Sequence, residues 1–218
     1  MLVSLIQVPL FLSYLGREQF GVWVLAIQVS AWLQLLDGGM NGALARFIID
    51  YRREPRGEQL RSCLATGMRV LLVQGVLVFA LAATLGLGAQ TLFGLPGKDA
   101  EPFSRIMLVL GVSGMLGFMN KVPQSWLYGC QRLDLANLVG LVMAPFELLL
   151  LVCFLSTGHG VMSLAWARLL MAGTALCITW WIAIRWVDFP WRLVRGGWDA
   201  PMFRLLAGFG GGMFLLTL

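Results

Sequence analysis

The chain has 218 residues and a mean hydropathy of +0.80, with 59% hydrophobic and only 12% charged residues, against roughly 25% charged residues in ordinary soluble domains. No water-soluble fold could bury that much apolar surface, which excludes a soluble enzyme and predicts membrane-spanning helices of about 20 residues each. The net charge of +5 comes from basic residues scattered between apolar runs, a pattern that indicates membrane topology and not a nucleic-acid partner.

Apolar runs separated by charged, glycine or proline residues predict an all-α, polytopic transmembrane helix bundle. We expect six spans and the start of a seventh, at residues 1–15, 21–43, 65–88, 106–128, 136–156, 162–184 and 204–218. No basic leader precedes the first run, so a removable signal peptide is not expected.

The first span is short, since 15 residues make about 22 Å of helix, and the last is cut off by the end of the chain. We therefore expect a piece of a longer protein, truncated at a lobe boundary. Residues 1–185 would form an N-terminal transmembrane lobe, 186–203 a cytoplasmic interfacial linker, and 204–218 the truncated first helix of a second lobe.

The distribution of basic residues supports this count of spans. The connections after spans two, four and six, with their flanks, hold eleven basic residues, whereas the opposite side holds only Arg17, Lys98 and Arg105. The eleven are Arg46, Arg52, Arg53, Arg56, Arg61, Arg69, Arg132, Arg185, Arg192, Arg195 and Arg204. This positive-inside bias predicts a multi-pass protein whose N-terminus lies in the cytoplasm.

Four ionisable residues fall at membrane depth, where each costs about 2.5–3.5 kcal/mol on insertion scales and requires a partner or a water-filled cavity. They are Asp37, Lys121, Glu147 and Arg168. Arg46 and Arg69 lie less deep and favour a role as topology determinants, because their side chains can reach the interface.

Span four carries the most informative pattern. At 100° per residue, Asn120, Gln124, Lys121, Ser125 and Tyr128 share one face of the helix. That face should meet other helices or water and not lipid. Because Lys121 lies within a wholly polar face, the pattern favours a cavity role for this residue.

Glu147 and Arg168 each lie on a stripe of small residues, which predicts either a cavity or close packing of helices, with equal weight. Span two contains Asp37, Gly38 and Gly39, a run with poor helix propensity. An interrupted helix with a buried acid suits cation or proton handling in transporters. A purely structural role, in which Asp37 bonds a neighbouring helix or exposed backbone, is an equal alternative.

Two adjoining motifs carry a family resemblance. The first is Leu-Gly-Arg-Glu-Gln-Phe-Gly-Val-Trp at residues 15–23, and the second is Leu-Leu-Asp-Gly-Gly-Met at 35–40, followed by Ala45 and Arg46. The segment 15–46 resembles the N-terminal part of the polysaccharide flippases of the multidrug/oligosaccharidyl-lipid/polysaccharide exporter superfamily. The remainder of the chain shares only the topology.

The resemblance implies a transporter with 12 to 14 helices in two lobes, which moves an undecaprenyl-diphosphate oligosaccharide across a bacterial inner membrane. Our own assignment from the residues gives Arg46, Lys121, Gln124 and Arg168 to an anionic headgroup, and Asp37 and Glu147 to coupling with H⁺ or Na⁺. The partners would be the lipid-linked oligosaccharide, membrane lipids and a second transmembrane lobe.

Three other functions remain open. A cation-coupled multidrug antiporter of the same superfamily would favour an acidic cavity. A membrane polysaccharide polymerase or ligase would need a large outer loop with clustered catalytic groups, which the sequence lacks, so we predict no enzyme. A non-transport scaffold would also use stripes of small residues.

Cofactor and metal motifs are missing from the sequence. No phosphate-binding loop of the G-x-x-x-x-G-K-S/T kind occurs, and we predict neither a cofactor nor a metal site. His159 lies in a turn without partners and is assigned no chemistry. The four cysteines show no ligand spacing and are expected to be reduced packing residues.

Overall fold

The structure is a computed structural model that describes residues 2–53, 57–156, 160–194 and 196–217. His159 lies outside these residues. The described part of the chain is almost entirely helical and contains no strand, as predicted. In chain order its helices are α1 (Leu2–Gln34), α2 (Met40–Arg53), α3 (Gly57–Leu87), α4 (Ala89–Phe93), α5 (Gly97–Gly129), α6 (Leu133–Ser156), α7 (Met162–Arg185), α8 (Trp191–Val194) and α9 (Ala200–Thr217).

Five described segments are long and apolar enough to cross a membrane, and α9 adds a shorter apolar helix. The five are Tyr14–Arg52, Gly57–Leu87, Gly97–Gly129, Leu133–Ser156 and Met162–Arg185. Helices α3 and α5 begin eight or nine residues before the expected spans, because hydropathy marks the apolar stretch and not the polar turns that extend beyond it.

The first two expected spans differ most from the structure. Helix α1 covers the first expected span and the beginning of the second, with a break at Gly16, whose φ of 72° and ψ of 172° are open essentially only to glycine. The second span, expected as one helix at 21–43, is interrupted after Gln34. A single 3-10 turn, Leu35–Asp37, and two glycines separate it from α2.

The chain forms two compact units, and each draws on several helices. The first comprises Met1–Gln34, Leu77–Met115 and Gly140–Thr174. Its core is a cluster of buried apolar side chains that includes Trp23 from α1, Phe103 and Met107 from α5, and Leu164 from α7. Small residues allow this close packing, since a β-carbon at Gly111 would lie 2.9 Å from Ala82.

The second unit comprises Leu35–Val76, Leu116–Val139 and Ala175–Leu218. Helix α2 lies at its centre. A β-carbon at Gly67 of α3 would meet the side chain of Leu44, and one at Gly129 of α5 would meet Ile48. Phe47 of α2 makes an edge-to-face contact with Phe209 of α9 at 5.6 Å between ring centroids. Both Leu44 and Ile48 are fully buried.

Within the second unit, polar bonds hold the connection between α7 and α9 against α3 and α5. Trp126 of α5 donates its indole N–H to the carbonyl of Val187 at 3.1 Å, and Arg69 of α3 donates to the carbonyl of Gly196 at 2.6 Å. Asp199 accepts a bond from the hydroxyl of Ser62 and another from the amide of Met202, which caps the start of α9. The division into lobe, linker and second-lobe helix remains a prediction.

Candidate functional site

At the break between α1 and α2 the backbone leaves α-helical geometry within a segment long and apolar enough to cross a membrane. The amide of Gly38 donates to the carbonyl of Leu35 at 3.1 Å, and Gly38 and Gly39 follow with φ of 52° and 74°. The side-chain amide of Gln74, on α3, donates to the carbonyls of Leu36 at 2.8 Å and Asp37 at 3.4 Å. Because a break in a membrane helix frees carbonyls that lipid cannot satisfy, Gln74 stabilises the interrupted segment.

Asp37, at the end of this 3-10 turn, forms an ion pair with Lys121 of α5. The Lys121 Nζ lies 3.1 Å from Asp37 Oδ1, and the two side chains are only 17% and 20% exposed. The same ammonium lies 3.8 Å from the centroid of the Phe118 ring, within range of a cation–π interaction. Lys121 therefore has two partners, a carboxylate and an aromatic face.

The polar face predicted on span four meets the start of α2. Ser125, which is fully buried, donates to the side-chain oxygen of Asn41 at 2.6 Å. Asn120 is buried, and its side-chain oxygen has no hydrogen-bond donor among the described residues. Gln124 is half-buried and its side chain makes no hydrogen bond to another described residue, so its place in a binding site remains a prediction.

A cavity of about 430 Å³ borders the helix break. Asp37 and Gly38 form one wall, α3 supplies Arg69 and Gln74, and the remaining wall is apolar. The full lining is Asp37, Gly38, Met40, Arg69, Val70, Val73, Gln74, Trp198, Phe203 and Ala207. Asp37 therefore pairs with the Lys121 ammonium and also lines an open volume.

Glu147 of α6 and Arg168 of α7 form a second ion pair at membrane depth. Arg168 Nη1 lies 3.2 Å from Glu147 Oε1, with Glu147 21% and Arg168 43% exposed. Pro145, inside α6 two residues before Glu147, removes one backbone donor from that helix. The sequence singled out both charged residues but not their pairing.

Arg46 forms an ion pair with Asp50 in its own helix. Its Nε lies 3.2 Å from the carboxylate of Asp50, one helical turn further along α2, and both side chains are well exposed. Such an i, i+4 pair is readable from the sequence. The assignment of Arg46 to a headgroup site remains a prediction.

Two residues at the break were not assigned to a site from the sequence. Gln74 is the single polar residue within the apolar run Leu-Leu-Val-Gln-Gly-Val-Leu-Val, which was the available signal. Arg69 was interpreted as a topology determinant, whereas in the structure it lines the cavity and bonds the linker at Gly196.

The fold of the chain resembles half of two solved transporters. One is an outward-facing conformation of a multidrug resistance MATE family transporter of the MOP superfamily, with a TM-score of 0.79 and 18% identity over 98% of this chain and 49% of that one. The other is an inward-facing conformation of such a transporter, with a TM-score of 0.69 and 16% identity over 90% of this chain and 50% of that one.

These comparisons show the fold, and the chain spans about half the length of the structures it matches. No protein-family model and no curated protein sequence matches it.

Proposed function

We propose that the chain is the N-terminal lobe of a membrane transporter that flips a polyprenyl-diphosphate-linked oligosaccharide across the bacterial inner membrane. The fold supports a transporter of the alternating-access kind, since the two solved proteins that it resembles are transporters in outward- and inward-facing conformations. The motifs at 15–46 support the polysaccharide branch of the superfamily.

The Asp37–Lys121 ion pair beside the cavity is the observation that carries this proposal. Burying two charges costs several kcal/mol per ion, and a pair of apolar residues would stabilise a purely structural contact equally well. Asp37, the acid of this pair, lines an open volume, and an anion that entered there could replace the carboxylate as partner of the ammonium. A diphosphate offers several acceptor oxygens for such charge-assisted bonds.

Arg168 is assigned to an anionic headgroup from the sequence, and its side chain is the more exposed member of its pair with Glu147. In this scheme Asp37 and Glu147 hold the bases while no substrate is bound, and they take up H⁺ or Na⁺ when the headgroup arrives. Neither pair would then contain an uncompensated charge at either stage, as a low-dielectric interior requires.

A cation-coupled multidrug antiporter is the second candidate. Each of the three bases assigned to the headgroup, Arg46, Lys121 and Arg168, is paired with an acid, so these pairs carry no net positive charge. An organic cation could pair with the acids of these ion pairs, just as an anion could pair with the bases. Both solved structures are multidrug resistance transporters.

Leaflet transfer in liposomes separates these functions. The full-length protein would be reconstituted with a fluorescent lipid-linked oligosaccharide, and its appearance in the opposite leaflet would be followed. We expect transfer by the wild type, a loss of at least tenfold in Lys121→Gln, and normal transfer in Lys98→Gln, whose exposed partner is Glu18.

The other outcomes identify the alternatives. Transport of a cationic dye without lipid transfer would support the antiporter. New glycosidic bonds would support an enzyme, and inactivity of a folded wild-type protein in every assay would support a scaffold. Full lipid transfer by Lys121→Gln would remove the headgroup role of Lys121.

A further inference from the structure

Arg69 of α3 lines the cavity beside the helix break and forms no ion pair with a described residue. Its guanidinium donates to the carbonyl of Gly196 at 2.6 Å, and that acceptor is neutral. The three bases assigned to the headgroup differ in this respect, because Arg46, Lys121 and Arg168 are each paired with a carboxylate. Arg69 is therefore a cation beside an open volume without an acid to compensate it in the described part of the chain.

The charges around the cavity leave one positive charge in surplus. Among the described residues of the lining, Asp37 is the one acid and Arg69 the one base. The Lys121 ammonium lies 3.1 Å from Asp37 Oδ1 and compensates that carboxylate. An uncompensated positive charge at low dielectric attracts an anion and opposes the entry of a second cation. The cavity thus favours an anionic ligand.

Most of the remaining lining is apolar, and the cavity volume of about 430 Å³ lies within the usual range for ligand sites. The rings of Trp198 and Phe203 lie 5.3 Å apart between centroids. The oxygen Oε1 of Gln74 is buried and offers almost no surface to a ligand. Water finds few partners on such a wall, whereas a hydrocarbon chain needs none. The apolar residues are Met40, Val70, Val73, Trp198, Phe203 and Ala207.

The bond to Gly196 orients Arg69 and leaves most of its donors free. Gly196 is buried and packs closely on α3, since a β-carbon there would lie 3.0 Å from Ala65 Cβ and 3.2 Å from Arg61 Cγ. Its carbonyl therefore has a fixed position and holds one guanidinium nitrogen. A guanidinium has several further N–H groups, and these can form the paired bonds that a phosphate accepts.

We propose that this cavity is a binding site for a phosphate-bearing lipid, in which Arg69 binds the phosphate and the apolar wall holds the adjoining part of the hydrocarbon chain. The inference rests on the transport function proposed above and deepens it, because it names the group that holds the lipid carrier. A carrier diphosphate and the phosphate of an anionic membrane phospholipid share this chemistry. Competition between the two identifies the source.

Binding of tritiated farnesyl diphosphate to the purified full-length protein in detergent tests the site. We expect saturable binding to the wild type and affinity at least tenfold weaker in Arg69→Gln. Arg69→Lys keeps the charge but loses the planar fork, so its affinity should lie between these two. Arg132→Gln is the matched control and should bind as the wild type does, because this exposed arginine pairs with Asp134 and does not line the cavity.

The apolar wall is tested separately from the cation. Val73 and Val76 are both exposed on α3, but only Val73 lines the cavity. Val73→Trp should fill the cavity and weaken binding at least tenfold, whereas Val76→Trp should leave it unchanged. Trp126→Phe removes another bond to the α7–α9 connection and should also leave binding unchanged, which separates a loosened connection from the loss of a phosphate partner.

Unlabelled competitors identify the parts of the ligand that the site recognises. Inorganic diphosphate and farnesol should each compete at least tenfold less well than farnesyl diphosphate, because each lacks one of the two parts. Displacement by phosphatidylglycerol as effective as that by farnesyl diphosphate would support a membrane phospholipid as the ligand. Resistance to phosphatidylglycerol would support the lipid carrier.

The proposal is overturned if the folded wild type does not bind farnesyl diphosphate, or if a monodisperse Arg69→Gln variant binds it as tightly as the wild type. Loss of lipid transfer in liposomes with binding retained would reject the flippase and not the site. Lipid transfer by a wild type that does not bind the probe would reject the site alone.

Discussion

Gly39 and Gly210 meet backbone to backbone, and the space between α2 and α9 at this point has no room for a β-carbon. A β-carbon on Gly39 would collide with the Gly210 carbonyl, and one on Gly210 would lie 3.0 Å from the carbonyl of Gly38. The helix break that holds Asp37 is therefore in direct contact with the helix that follows the linker. Any change in the conformation of one bears on the packing of the other.

The first prediction concerns this contact. Gly39→Ala should destabilise the protein by about 1–2 kcal/mol for an L-residue at positive φ, with a further cost of about 1–3 kcal/mol for overpacking against α9. Gly38→Ala is the matched control, since its φ is also positive but no atom lies within 4 Å of its β-carbon. It should show only the first cost in thermal denaturation in detergent, and equal losses in the two variants would contradict the contact.

The second prediction concerns the Asp37–Lys121 pair. Asp37→Asn and Lys121→Met should each destabilise the fold by up to about 3–5 kcal/mol, since each leaves a largely buried charge unpaired. The double variant should recover most of this stability because no charge remains. Denaturation of the four proteins gives the coupling energy, and additive losses would show that the two charges do not interact.

Arg168 and Glu147 allow a test of function apart from stability. Exchanging the two residues, as Glu147→Arg with Arg168→Glu, keeps an ion pair between α6 and α7 and should preserve membrane insertion and folding. Lipid transfer should fall at least tenfold, because the cation would move to the less exposed position. Retained transfer in the exchanged protein would assign the pair to helix packing alone.

The reactivity of Cys130 gives a dependence on pH. Burial raises the pKa of this thiol, while the neighbouring Arg52 and Arg132 lower it. A raised pKa leaves less thiolate at pH 7–8, so iodoacetamide should modify Cys130 more slowly than the same residue in unfolded protein. The rate should increase as pH rises through the pKa.

The Arg52→Gln variant tests whether Arg52 lowers the pKa of Cys130. Without the Arg52 cation the pKa of Cys130 should rise further, and modification at pH 8 should become slower still. Peptide mass spectrometry follows the rate at this one cysteine. Faster modification in Arg52→Gln would mean that Arg52 mainly shields the thiol from the reagent.

The end of α5 offers a stabilising substitution. Gln131 has a φ of 57°, and the amides of Gln131 and Arg132 bond the carbonyls of Tyr128 and Leu127 at 2.9 Å, which is the pattern of a Schellman cap. Glycine is preferred there, so Gln131→Gly should stabilise the protein by about 0.5–1 kcal/mol. Gln90→Gly, within α4, should instead destabilise by up to about 1 kcal/mol.

Much of the fold was predictable because hydropathy and helix propensity are local properties. The apolar runs gave the long helices, and the run from Asp37 to Gly39 indicated an interruption in span two. The polar ends of α3 and α5 could not be found in this way, since hydropathy does not distinguish a helical turn in water from a loop.

The candidate site was predictable only in part. The free-energy cost of placing a charge at membrane depth singled out four residues one by one, namely Asp37, Lys121, Glu147 and Arg168. Their pairing depends on which helices are neighbours and at what rotation, and no local pattern in one sequence contains that information. The contact of Arg46 with Asp50, by contrast, follows from a spacing of four residues.

The interruption at residues 35–39 also determines how readily backbone protons there exchange with deuterium. In an unbroken helix each amide is held by the carbonyl four residues earlier, whereas here Gly38 relies on one short-range bond to Leu35, and a glutamine side chain holds the carbonyls of Leu36 and Asp37. Exchange is governed by the local free energy of opening and by access to solvent. Deuterium uptake in this segment would therefore report when water enters the adjoining cavity.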